Sequence, residues 1–126
     1  MDVNISYDAN APTAAVELPI IRSLPDYDLI KVEAGVPRDI DPILASQGFK
    51  DLLDEARSIL DLVLADSGLE ITQLTGAICV DGGVYRPGIW LVLHETATDA
   101  KQTMSTGARA HVTSVAEELR TSLQLS

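Results

Sequence analysis

Two apolar runs rich in β-branched residues, between Leu69 and Glu95, flank the polar connector Asp81-Gly82-Gly83-Val84-Tyr85-Arg86-Pro87-Gly88. That pattern predicts a long antiparallel hairpin. Upstream, Ala15–Ile21 and Asp28–Ala34 also read as strands, separated by Arg22-Ser23-Leu24-Pro25-Asp26, whose Pro and Asp favour a turn. These two runs form an expected first hairpin. Before them, residues 1–13 are rich in Asn, Asp and Ala, and only Val3, Ile5 and Tyr7 alternate. This segment reads either as flexible chain or as an edge strand.

The period changes after Gly35-Val36-Pro37. Phe49, Leu52, Leu53, Ala56, Ile59, Leu60, Val63 and Leu64 recur at three- and four-residue steps, with Lys50, Asp51, Asp54, Glu55, Arg57, Ser58 and Asp61 filling the other side. This spacing predicts an amphipathic helix over about Asp41–Ala65. Asp41-Pro42 is suited to cap its start and Gly68 to close its end in the left-handed conformation, while Gly48 could split off a short first segment. A polar stretch over Thr96–Gly107 precedes a second stripe of Val112, Val115, Ala116, Leu119 and Leu123, which predicts a C-terminal helix. The order is β-β-α-β-β-α. It implies an α+β fold in two layers, a mostly antiparallel sheet of about four strands covered on one face by two helices.

The chain has 126 residues, which suits a single domain, and nothing in it marks a linker or an internal repeat. With 46% hydrophobic residues but only 4% aromatic, the core must be built from Leu, Ile, Val and Ala. Nine basic against nineteen acidic residues give a formal charge of −10. Such a field repels phosphate backbones and anionic bilayers, so neither nucleic acid nor membrane is an expected partner, whereas a basic protein is. Cys79 is the only cysteine and lies in the apolar run Ile78-Cys79-Val80, where it is expected to act as a small hydrophobe. The cysteine usage, together with the lack of a secretory pattern or an apolar run of ~18 residues, points to a cytoplasmic location.

Candidate chemistry is sparse. Asp81-Gly82-Gly83 could present backbone N–H groups to an anion, but no helix N-terminus and no Lys-Ser/Thr pair follow the glycines, so turn chemistry is the simpler reading. His94 and Glu95 end the second hairpin strand, and if the strand ends meet they could face Asp81 and Arg86. Imidazole beside carboxylates is general acid–base equipment, which makes Asp81, Arg86, His94 and Glu95 the candidate ligand-binding set. Adjacent strand residues point to opposite faces, however, so His94 and Glu95 are not expected to act as a catalytic pair. His94, His111 and Cys79 lack zinc-site spacing, Asp51, Asp54 and Glu55 read as a solvated helix face, and no metal or cofactor is expected.

Tyr85, Arg86, Trp90 and Val92 form the candidate interface, because Tyr, Arg and Trp combine large contact area with a polar handle. Alternation puts Ile89, Leu91 and Leu93 on one face of the strand and Trp90, Val92 and His94 on the other, so the strand is apolar on both sides. Either the N-terminal segment or another subunit should cover the second face. The sequence therefore favours a non-catalytic interaction or assembly module that forms homo-oligomers through its sheet. The alternatives are a small ligand-binding protein or enzyme working near 81–88 and 94–95, and an acidic chaperone or adaptor for a basic client.

Overall fold

The alternation of Val3, Ile5 and Tyr7 becomes a true edge strand, β1 (Asn4–Tyr7), which pairs antiparallel with β2 (Thr13–Pro19). The computed structural model describes residues 3–20, 47–81, 84–96 and 102–123. Asp8 shapes the turn between the two strands. Its amide donates to the Thr13 carbonyl at 3.1 Å, and its carboxylate accepts the Asn10 amide at 2.7 Å. The first β-β pair is thus built from 4–7 and 13–19. The strand expected at Asp28–Ala34 and the Asp41-Pro42 cap lie outside the described residues.

The long hairpin forms from β3 (Leu69–Asp81) and β4 (Val84–Glu95). Its connector is shorter than the polar pattern indicates, since Asp81 pairs directly with Val84 and two residues join the strands. Tyr85, Arg86, Pro87 and Gly88 therefore belong to β4. A proline is tolerated there because the ladder between β4 and β2 ends at the pair Pro19↔Gly88, next to Pro87, whose carbonyl still accepts the Ile20 amide at 3.0 Å. In β3 a bulge lies between Ile71 and Gln73, and the Thr72 hydroxyl donates to the Val92 carbonyl at 3.2 Å.

The sheet order is β1-β2-β4-β3, so β4 inserts between β2 and β3 and every neighbouring pair is antiparallel. Helices α1 (Gln47–Val63) and α2 (Thr106–Leu123) complete the expected β-β-α-β-β-α order and the two-layer α+β arrangement. Among the described residues no helix is long and apolar enough to cross a membrane.

One face of the sheet, the inner face, carries Ala14, Val16 and Leu18 from β2 and Ile89, Leu91 and Leu93 from β4, all fully buried. Against them α1 packs Phe49, Leu52, Ala56 and Leu60, and α2 packs Val112, Val115, Ala116, Leu119 and Leu123. The predicted α1 stripe is centred on Leu52, Ala56 and Leu60, with Ile59 and Val63 half-buried on its flank. Gly48 is buried at the start of α1, one residue after Gln47, and the short first segment that it could split off lies outside the described residues. The helix ends before Gly68, and the chain reverses through two left-handed residues, Asp66 at φ 58° and Gly68 at φ 76°. Ser67 ties this turn together, its hydroxyl donating to the Leu64 carbonyl at 2.6 Å and accepting the Leu69 amide at 3.1 Å.

Two stability predictions follow from this packing. Leu60→Ala should lose about 2–5 kcal/mol in chemical denaturation, because Leu60 is fully buried and its truncation leaves a cavity between α1 and the rest of the core. A loss under about 1 kcal/mol would show that the site collapses without cost. At Gly88 a Cβ would overlap the Cys79 sulfur and lie 2.8 Å from the Leu18 carbonyl oxygen. Gly88→Ala should therefore destabilise by about 1–3 kcal/mol, through strand displacement rather than any loss of contact.

Candidate functional site

The pairing register decides which of the expected site residues can meet. Asp81 stands opposite Val84 and Arg86 opposite Cys79, at the turn end of the hairpin, whereas His94 stands opposite Glu70 at the other end. Ten residue steps along the strand separate Val84 from His94, about 33 Å at the usual rise. The expected convergence of Asp81 and Arg86 with His94 and Glu95 does not occur. In a hairpin this long, the residues that close the turn and the residues that end the ladder occupy opposite ends.

His94 and Glu95 also diverge, as the pleat requires. His94 points to the outer face of the sheet, where its Nδ1 lies 3.5 Å from the Thr13 hydroxyl. Glu95 turns to the inner side and serves the start of α2. Its carboxylate accepts the Ser105 amide at 2.9 Å and the Ser105 hydroxyl at 2.7 Å, while the Ser105 oxygen accepts the Ala108 amide at 3.3 Å. Ser105 is thus the helix N-cap and Glu95 holds it in place. This is structural work for a residue whose sequence context suggested ligand binding.

A second polar anchor joins β1 to the same helix. The Arg109 guanidinium lies over the Tyr7 ring, 4.4 Å from its centroid, and the Tyr7 hydroxyl donates to the Arg109 carbonyl at 3.3 Å. Arg109 also donates to the Met104 carbonyl and to the Thr103 hydroxyl, which in turn donates to the Asp8 carbonyl. Among the described residues no three His, Cys, Asp or Glu side chains gather as a metal site would require. Asp51, Asp54 and Glu55 are exposed on α1.

What the tertiary structure assembles instead is the outer face of the sheet. Three cross-strand rows run over it: Asn4, Glu17, Trp90 and Thr75; Ser6, Ala15, Val92 and Gln73; and Thr13, His94 and Glu70. Trp90, Val92 and Ala15 are half-buried, and both described helices lie on the other side of the sheet. An open groove of about 330 Å³ follows this strip, lined by Ser6, Asp8, Thr13, Ala15, Trp90 and Val92. The alternative that the N-terminal segment folds across this face fails for residues 4–7, which extend the sheet sideways as β1.

Of the four expected interface residues, Trp90 and Val92 lie at the centre of the groove. Tyr85 and Arg86 belong to the part of the hairpin beyond the end of the β2–β4 ladder. Towards that end of the hairpin the outer face is closed, with Pro19, Gly88 and Cys79 buried. Ala15, Glu17 and Asp8 were not singled out in the sequence. The period-2 pattern of β2 does group Thr13, Ala15 and Glu17, but only its pairing with β4 sets Glu17 beside Trp90.

Because Glu95 and Ser105 act through shared hydrogen bonds, their losses should not add. Ser105→Ala should cost about 1 kcal/mol. A double-mutant cycle with Glu95→Ala should give a coupling of at least about 0.5 kcal/mol; independent losses in denaturation would show that the carboxylate does not support the cap.

Compared with known protein families, curated proteins and solved structures, the chain matches none of them.

Proposed function

We propose that this protein is a non-catalytic interaction module whose docking surface is the outer face of its sheet. The observation that carries the proposal is the groove along Trp90, Val92 and Ala15, an apolar strip with a polar border on the side of the sheet away from the helices. An aromatic anchor within a polar rim is the usual anatomy of a non-obligate interface. Catalysis finds less support, because the adjacent imidazole and carboxylate of His94 and Glu95 serve different faces. The single cysteine is buried at the closed end of the outer face, in keeping with a reducing, cytoplasmic setting.

Self-association through this face is a second form of the same reading, favoured by the apolar character of β4 on both sides. The polar neighbours of Trp90, namely Glu17 and Thr75 directly opposite it and Asn4 at the edge of its row, limit the apolar area such a contact could bury. A copy-to-copy interface here would accordingly be a weak one.

The test is a substitution that empties the anchor but keeps strand propensity. Trp90→Thr should leave the circular dichroism unchanged and cost about 1 kcal/mol of stability, as expected for a half-exposed strand position. A loss above about 3 kcal/mol would make Trp90 a core residue and overturn the proposal. Sedimentation of the unmodified protein across the micromolar range then separates the two forms. A mass that rises with concentration, and no longer rises in Trp90→Thr, identifies self-association; a constant monomer mass overturns that form of the reading.

A further inference from the structure

The charges around the groove specify its occupant more narrowly than the apolar strip does. Glu17 is directly opposite Trp90 on β2, so its Cβ lies within about 5.5 Å of the Trp90 Cβ on the same face. Ala15, diagonal to the indole, leaves the space beside it unfilled. Asp8 lines the same groove, and Glu70 follows on β3 beside His94. Lys50 and Arg57 on α1 and Arg109 and Arg120 on α2 belong to the helix layer, and Arg86 lies in β4 at the turn end of the hairpin, beyond the β2 ladder that borders the groove.

An indole on the groove with a carboxylate residue directly across from it on the neighbouring strand suits a cation with an apolar stem. The ring quadrupole attracts the charge, the carboxylate completes an ion pair, and the hydrocarbon chain covers Val92 and Ala15. A second copy of this chain would bring Glu17 and Asp8 against an equally acidic surface, and like-charge juxtaposition disfavours that arrangement. Resting on the docking-surface reading above, we propose that the occupant is a cationic protein segment that places a lysine or arginine side chain between the Trp90 ring and the Glu17 carboxylate. The net charge of −10 steers such a segment toward the protein, and the groove selects where it stops.

Trp90 is the only tryptophan in the chain, so its fluorescence reports directly on the groove. The experiment titrates the full-length protein with three ten-residue peptides free of aromatic residues, alternating valine with lysine, serine or glutamate. The lysine peptide should shift the Trp90 emission and bind at least tenfold more tightly than the serine peptide, with an affinity that falls as salt is raised. Glu17→Gln should weaken it about fivefold or more, while Asp54→Asn, which removes the same charge from the exposed face of α1, should change it less than twofold. Equal weakening by both variants would reduce the effect to overall charge and overturn the assigned cation site. An equal response to the serine peptide, or an emission shift driven only by the protein's own concentration, would make the occupant apolar or a second copy and leave the docking surface standing. Failure of the lysine peptide to bind at millimolar concentration overturns the cationic occupant. Binding of all three peptides without any change at Trp90 removes the docking surface as well.

Discussion

The rest of the structure depends on β4 being hydrogen-bonded along both of its edges. β2 takes one edge over residues 88–94 and β3 takes the other along the whole hairpin, so the last strand to appear in the chain becomes an interior strand of the sheet. Only from that position can Ile89, Leu91 and Leu93 reach the helices while Trp90, Val92 and His94 line the outer face. The bulge at Thr72 lets β3 follow this arrangement. One extra residue shifts the pairing and brings Leu74 opposite Leu91 after Ile71 has paired with Leu93, so apolar residues stay on the inner side along the strand.

The helix layer is positioned by polar contacts at its ends as much as by its apolar stripe. Glu95 ends β4 and at the same time holds the capping Ser105, so the strand that organises the sheet also sets where α2 begins. Tyr7 and Arg109 fasten the short edge strand β1 to the first turn of that helix, and Thr103 continues the connection to Asp8. β1 makes only four residue pairs with β2, and a strand so short would fray without further support. This link explains how the edge of the outer groove keeps its shape, because Ser6 and Asp8 flank the very residue that is held.

The functional consequence is a division of labour between the two faces. The inner face is apolar across Ala14, Val16 and Leu18 of β2 and Ile89, Leu91 and Leu93 of β4, and these side chains are spent on stability. On the outer face, Trp90 and Val92 have Thr75, Gln73, Glu17 and His94 as polar neighbours. That border also explains why a strand apolar on both sides does not by itself demand a second subunit. Its two neighbours supply polar shoulders that reduce the exposed apolar area.

Residue spacing alone was sufficient for the element types, because period 3.6 and period 2 are local properties that a few neighbours express. The stripes of α1 and α2, the long hairpin, and the inner and outer alternation of β4 were all legible in this way. Turn chemistry was legible only in part, since Pro87 and Gly88 resemble connector residues until the end of the β2 ladder makes room for them inside a strand. Strand order and register were decided by the tertiary structure, through ladders between segments far apart in sequence whose pairing no local pattern encodes. The candidate site belongs to that second category. Trp90 was conspicuous by its residue type, but Glu17 became its neighbour only because β2 pairs with β4, and Asp8 reaches the same groove only because β1 pairs with β2, while Asp81 and Arg86 were separated from His94 by the length of the same hairpin.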